Sequence, residues 1–389
     1  MNIFRGYFLA ACILAAIGMT TMMLMIDISP AMAITSAKIG TIDTFEAKVP
    51  IHVLAGTKNA PHGLTPTDIR AAYHLPSSGG SGTIAIISAY HHPNLEKDLS
   101  TFTAEFLLPN CTVTNGCLEI HTMSTTTKDD SGWALESALD AEWAHAIAPG
   151  AKLLVVEATS ASGPNLLKAV DYARSRADVV AVSMSWGGDE LSDETALDSH
   201  FLPATNSKTG RSSMAFFASS GDDGAGASWP AASPNVIAVG GTSLVLTKGS
   251  STAVSVTEKA WTGSGGGVSA YESEPGYQKS YSIPHATGKR AIPDVAYAAD
   301  PAHGFSVYHA NKWYVVGGTS AGAPQWAALQ ALGLSITPAK LYADKAGSNP
   351  DSYFRDIKSG SNGDCGYYCQ ARARYDYVTG LGTPVTYRF

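Results

Sequence analysis

Five short apolar runs constrain this chain more than any other feature of it: Thr83–Ser88, Lys152–Glu157, Val179–Ser185, Met214–Ser219 and Val236–Gly240. Each is rich in Val, Ile, Ala or Phe and is bounded by Gly, Pro, Ser or Asp. A strand with one wet face alternates apolar and polar residues, whereas a strand covered on both faces is nearly continuous in apolar residues, as these are. Helical patterns at Asn94–Phe106, Trp133–Ala148 and Asn165–Ser175 separate several of the runs, and a shorter helix is expected over Pro66–Tyr73. Alternating strands and helices require right-handed crossovers and predict a doubly wound α/β fold around a mostly parallel sheet. No internal repeat and no linker rich in Pro or charge interrupts the pattern after Leu64, so residues 64–389 are expected to form a single domain.

The first 33 residues differ from the rest. Arg5 precedes an apolar stretch from Tyr7 to about Met25, and Pro30 leads into Ala31-Met32-Ala33. A basic start, an apolar middle and an Ala-x-Ala ending predict a secretory signal peptide cleaved after Ala33. The product is expected to be extracellular or periplasmic, without stable membrane association. Residues 34–63 show no periodicity and are read as an N-terminal arm or short pro-segment. Beyond the leader the chain holds Cys111, Cys117, Cys365 and Cys369, two close pairs. Local disulfides are preferred to a zinc site, because the pairs lie far apart and neither has the spacing of a zinc knuckle. Only 15% of residues are charged and the net charge is -7, without a basic patch, which argues against nucleic acid as a partner. A monomer is the default expectation.

Three segments carry chemistry. In Gly317-Gly318-Thr319-Ser320-Ala321-Gly322-Ala323-Pro324, a strand-like run, Trp313–Val316, feeds glycines, a serine and a helix, Ala323–Leu334. That arrangement sets a hydroxyl at a helix N-terminus, where negative charge is favoured, although a plain helix cap would read the same way. A serine nucleophile needs a base. No histidine is well placed, since His91 and His92 sit in a turn before Pro93 and His145 lies beside Trp143. Glu136 and Asp140, four residues apart on one helix, share a face that is otherwise apolar. Like charges at that spacing repel strongly once desolvated, and sharing a proton relieves them. Asp222, in Gly221-Asp222-Asp223-Gly224, follows the run Met214–Phe217 and so stands at the carboxyl end of a strand, where open α/β sheets place ligands. Taken alone it reads as a turn.

Together these segments resemble the sedolisin family, the serine-carboxyl peptidases, over roughly Leu64 to Pro384. The resemblance rests on Glu136-x-x-x-Asp140, Ser219-Ser-Gly221-Asp222-x-Gly224 and Gly318-Thr319-Ser320-Ala-x-Ala-Pro324. Leu64-Thr-Pro-x-Asp68, Ser183-Met-Ser185-Trp186-Gly187, Pro293-Asp294-Val295 and Asp376-x-x-Thr379-Gly380-x-Gly382-x-Pro384 fit as well. The resemblance implies a subtilisin-like three-layer fold and an acid-active endopeptidase acting on proteins or peptides. Ser320 would be the nucleophile, Glu136 the general base and acid, Asp140 its orienting partner and Asp222 the oxyanion-hole donor. Trp186, Gly187 and Gly188 would border the substrate cleft. A calcium ion would be held by Asp356 and Asp376 with the carbonyls of Ile357, Arg372 and Arg374. In the last two positions the family usually has glycine, and this chain departs from it. The subtilisins proper need Asp and His where this chain has Ser88 and Glu136. Many members carry a large prodomain, against about 30 residues here between leader and Leu64. The competing readings are a catalytically silent peptide-binding protein on the same fold and, last, a glycosidase using Glu136 and Asp140.

Overall fold

Every one of the five apolar runs is a strand of a single eight-stranded sheet. The computed structural model describes residues 40–57, 60–125, 127–204, 214–248, 254–346 and 353–385, all within one compact unit, Ser36–Phe389. The expected leader, residues 1–33, lies outside the described residues.

In chain order the strands are β1 (His52–Thr57), β2 (Thr83–Ala89), β3 (Leu118–Thr122), β4 (Lys152–Ala158), β5 (Val179–Met184) and β6 (Gly188–Asp189). They continue with β7 (Ala215–Ser219), β8 (Ser228–Trp229), β9 (Val236–Lys248), β10 (Val254–Ala260), β11 (Gly267–Ser273) and β12 (Lys289–Ile292). The last used here are β13 (Val295–Ala298), β14 (Phe305–His309) and β15 (Lys312–Gly317). The helices are α1 (Pro66–Tyr73), α2 (Leu95–Glu105), α3 (Ser131–Ile147), α4 (Gly163–Ser175), α5 (Gly276–Tyr281), α6 (Gly322–Ala331) and α7 (Pro338–Ala346).

The sheet runs β10-β9-β7-β5-β2-β4-β3, with β13 also on β9. All pairings from β3 to β9 are parallel, as is β13 with β9, and only β10 is antiparallel. Side chains alternate across it. Ile84, Ile86, Leu153 and Val155 pack on the layer of α2, α3 and α6, whereas Ala85, Ile87, Leu154 and Val156 pack on α4. That makes the three-layer, mostly parallel α/β architecture expected from the apolar runs.

Helix α3 has a local start signal, since the Asp130 side chain accepts from Gly132 N and Trp133 N, both at 3.0 Å. From Trp133 to Ile147 each of its residues is buried. Sheet, α6 and the β14–β15 hairpin enclose it, and Trp143 Nε1 donates to Ser306 O at 3.0 Å. Sequence pattern did not show β3, β10 or β14, which are edge or hairpin strands with mixed polarity, or β13, which is apolar but only four residues long. The arm is also more structured than its lack of periodicity implied. Its last part is β1, antiparallel to β15, so the arm adds a strand beside the segment that leads to Ser320.

One buried ion pair ties β9, β12 and α7 together. Arg290 and Asp294 are fully buried, with Nη1 donating to Oδ1 at 2.7 Å and Nη2 to Oδ2 at 2.5 Å. Asp294 also accepts from Ala238 N and from the Tyr342 hydroxyl, each at 2.8 Å, so it links β9, the approach to β13 and α7. Removing one partner strands a charge in the core, at a cost of about 3–5 kcal/mol. Asp294→Asn should therefore lose stability of that order in urea unfolding, and a loss under about 1 kcal/mol would show that the pair is dispensable.

Candidate active site

The serine is delivered by a strand, a glycine kink and a helix. Strand β15 ends at Gly317, and Gly318 has φ +128°, a backbone state that side chains rarely adopt. A Cβ at Gly318 would lie 2.1 Å from Pro50 O and 2.6 Å from Asp222 Oδ2, so glycine is required by space as well as by torsion. Thr319–Ala321 form one 3₁₀ turn before α6 begins at Gly322, one residue earlier than expected. Ser320 is fully buried there.

Helix α3 supplies the carboxyl pair. Glu136 is 1% exposed and Asp140 is 0% exposed. Burial, followed by the neighbouring Asp140, pushes the Glu136 carboxyl well above its usual range, while the Ser320 hydroxyl pulls it back. That hydroxyl contact falls short of full hydrogen-bond geometry, because Ser320 Oγ and both Glu136 oxygens have no other partner among the described residues. Such loose contacts are usual before substrate tightens a site. Burial also raises Asp140, and Ser185 Oγ opposes this by donating to Oδ1 at 2.7 Å. Asp140 Oδ2 is left without a partner among the described residues, free to share a proton with Glu136.

Asp222 follows β7 and meets the serine turn from the other side. Its Oδ1 accepts from Thr319 N and from Thr319 Oγ1, both at 2.8 Å. Burial raises its pKa, and contacts to His52 and Thr319 oppose the rise. With Oδ1 held by two donors, a proton on this carboxyl would reside on Oδ2. The site thus combines a buried hydroxyl, a proton-sharing carboxyl pair and a carboxyl disposed to be neutral in acid. Those are the parts needed for acyl transfer without histidine.

Not every expected residue behaves as its position suggested. Trp186 is fully buried, with Nε1 donating to Ile87 O at 3.1 Å and its ring beside Trp229. Its indole belongs to the core, which corrects the expectation that it borders the cleft; Gly187 and Gly188 instead offer main chain. Ser88 Oγ lies 2.6 Å from Ser137 Oγ on α3, so no carboxylate occupies the place where a histidine-based site would need one. Cys111–Cys117 and Cys365–Cys369 are disulfides, as expected.

Asp356 and Asp376 both meet the Arg372–Arg374 segment, but they are already neutralised there. Arg374 N donates to both Asp356 oxygens at 3.0 Å, and Arg372 N to Asp376 Oδ2 at 3.0 Å. The Thr379 main chain and hydroxyl also donate to Asp376. Lys345 Nζ lies 3.6 Å and Lys358 Nζ 3.7 Å from the two oxygens of Asp356. Two carboxylates and three carbonyls are the hard donors calcium prefers. Here, however, ammonium groups stand on Asp356, and a calcium ion would have to displace them. The sequence-based reading missed these lysines, as it missed the contacts of Ser185, Thr319 and His52. Ser185 had a local signal in its place before Trp186-Gly187. His52, 3.1 Å from Asp222 Oδ2 across 170 positions of chain, had none.

The subtilase family model matches residues 125–350. Sedolisin from Pseudomonas sp. (strain 101) is 31% identical over 366 residues, covering 82% of this chain and 60% of that protein. Kumamolisin from Bacillus sp. (strain MN-32) is 32% identical over 360 residues, covering 85% and 63%. The chain thus spans less than two thirds of the length of these curated relatives. Among solved structures, Pseudomonas sedolisin, a serine-carboxyl proteinase complexed with two molecules of pseudo-iodotyrostatin, aligns with a TM-score of 0.70 and 28% identity. That alignment covers 84% of this chain and 96% of the other.

The lysines make a testable difference. Calcium added to the parent chain should raise Tm little, and Lys345→Gln should make the stabilisation by calcium larger, as a tighter site requires. A large calcium-dependent Tm in the parent, lost on chelation, would show that the ammonium groups yield readily.

Proposed function

The chain belongs to the subtilase family and is a homologue of sedolisin and kumamolisin, and on that footing we propose that it is a secreted serine-carboxyl endopeptidase working in acid. The observation that carries this reading is the burial of Glu136 and Asp140 on α3 beside Ser320. Export is supported by the leader-like residues 1–33 and by two disulfides, which persist in oxidising compartments. No helix among the described residues is long and apolar enough to cross a membrane.

The proposed steps follow from the site. Ser320 Oγ attacks the carbonyl carbon of the scissile peptide bond as its proton passes to the Glu136 carboxylate. Asp140, held by Ser185, shares its own proton with Glu136 and steadies the charge. The tetrahedral oxyanion accepts a hydrogen bond from protonated Asp222 Oδ2, where a carboxylate would repel it. Glu136 then protonates the leaving amine, giving an acyl-enzyme on Ser320, and water reverses the sequence. No step passes through a metal.

The pH dependence follows from two protonation requirements. The Glu136–Asp140 pair must have lost one proton, which sets the acid limb. Asp222 must keep its proton, which sets the alkaline limb, and its burial extends that limb upward.

Hydrolysis of a denatured protein, followed from about pH 2 to about pH 8, tests the reading. Activity should peak in acid and fall at least about 10³-fold in Ser320→Ala. An inactive but folded parent chain would favour the silent peptide-binding protein, and a neutral optimum that survives Glu136→Gln would sink the proposed base. Asp222 permits a sharper test. Asp222→Ala should cost about 10²–10³ in kcat, whereas Asp222→Asn keeps a donor that does not titrate and should flatten the alkaline limb. An unchanged alkaline limb in Asp222→Asn would place the titrating acid elsewhere.

A further inference from the structure

The two adjacent histidines of the turn before Pro93 take different partners in the fold. His91 Nδ1 lies 2.8 Å from Glu157 Oε2, near the carboxyl end of β4. His92 is buried and meets Asp98 of α2 and His309 at the end of β14. One nitrogen from each of the two rings and one Asp98 oxygen lie within 4.8 Å of one another. Each of the three groups is placed by its own local structure. Asp98 sits in the first turn of α2, where a carboxylate suits the helix dipole. Ala310 and Asn311, with φ +49° and +63°, form the two-residue turn between β14 and β15. Ala310 N donates to Asp98 Oδ2 at 3.1 Å, which fixes the hairpin end, and His309 with it, beside the carboxylate.

The spacing of these atoms is that of metal ligands and not of hydrogen-bond partners. His92 Nε2 is 3.6 Å from Asp98 Oδ2, and His309 Nδ1 is 3.3 Å from the same oxygen. Both nitrogens are nevertheless buried without a hydrogen-bond partner among the described residues. Two donors that each stand about 2.05 Å from a tetrahedral ion are about 3.3 Å apart. The rings meet edge to face, at 87° with centroids 5.0 Å apart, so neither covers the other. The Glu142 carboxyl on α3 is near enough to feel the charge of Asp98. Tyr308 N donates to Glu142 Oε2 at 3.0 Å, whereas Oε1 is buried without a partner among the described residues. The neighbouring Lys97 does not neutralise this acidic set, because its Nζ donates to Asn311 Oδ1 at 2.9 Å.

We propose that His92 Nε2, His309 Nδ1 and Asp98 Oδ2 are three ligands of a zinc ion, with water in the fourth position. Two imidazoles and one carboxylate suit zinc, whereas an all-oxygen set suits calcium. Asn94 N donates to His92 Nδ1 at 3.1 Å, so Nε2 carries the ring proton before the ion arrives. Ligation moves that proton to Nδ1, and the N–H of Asn94, an exposed residue, turns to water instead. The bound ion clamps α2 to the β14–β15 hairpin, and β15 is the strand that leads to Ser320. The site requires no turnover, so it stands or falls apart from the peptidase reading.

The test is calorimetric titration of zinc into the full chain carrying Ser320→Ala, which prevents self-cleavage, at about pH 7, where free imidazole is mostly neutral. A single zinc ion should bind per chain and raise Tm, and cobalt in its place should show the visible absorption of a tetrahedral site. His309→Ala, at a partly exposed hairpin end, should keep the fold and weaken zinc binding at least about 100-fold, and His92→Ala should do the same. Lys345→Gln, which alters the Asp356 loop, should leave zinc affinity unchanged and so separate the two metal questions. No zinc binding by the parent chain, or binding that survives both histidine substitutions in folded protein, would overturn the proposal.

Discussion

The site depends on one constraint: α3 has no wet face. A helix enclosed by sheet, neighbouring helix and hairpin would ordinarily be apolar all round, yet this one carries Glu136, Asp140 and Glu142 inward. Glu142 is satisfied in part by Tyr308 N at 3.0 Å, a structural use of a buried carboxyl. Glu136 has no comparable support and Asp140 is held by Ser185 Oγ on one oxygen alone, which leaves Glu136 subject to Asp140 and Ser320. Desolvation and mutual repulsion leave proton sharing as the cheap solution. In water the same two side chains would ionise near the ordinary carboxylate range and offer no such pair. The three-layer packing that excludes solvent from α3 is therefore also what sets the acid–base character of the proposed base.

The parts of the molecule that could be read from sequence were those with a local signature. Strand β2 and its neighbours announced themselves because both faces are covered, which leaves no polar residue to blur the run. The spacing of Glu136 and Asp140 survives in any helix, and glycine at 318 is fixed by a torsion and a clash that no other residue relieves. What escaped was long-range. Edge strand β3 has mixed polarity, and the partners of Asp222 come from positions 52 and 319. Trp186 shows the limit of adjacency: it precedes a glycine expected at the cleft, but its own side chain is buried in the core.

Charge placement differs around Asp294 and around Ser320. Arg290 and Asp294 are matched fork to carboxylate, and Asp294 also accepts from Ala238 N and the Tyr342 hydroxyl, while Arg290 Nε has no partner among the described residues. Around Ser320 the opposite holds, with several buried polar atoms unsatisfied among the described residues. Unsatisfied buried groups are costly, and the fold accepts that cost at Ser320, Glu136 and Asp140, where a polar group without a fixed partner stays available to a ligand.

The pairing of β1 with β15 has a consequence for how the molecule is made. His52 lies opposite Gly317, so the strand leading to Ser320 finds its partner more than 260 positions away. Contacts between such remote positions close large loops before they return any energy, and topologies rich in them fold slowly. During synthesis the early strand waits unpaired while the domain emerges, and only a chain extended past β15 can bring the two together. The turn that holds Ser320 therefore gains its neighbouring strand from one of the earliest described segments of the chain.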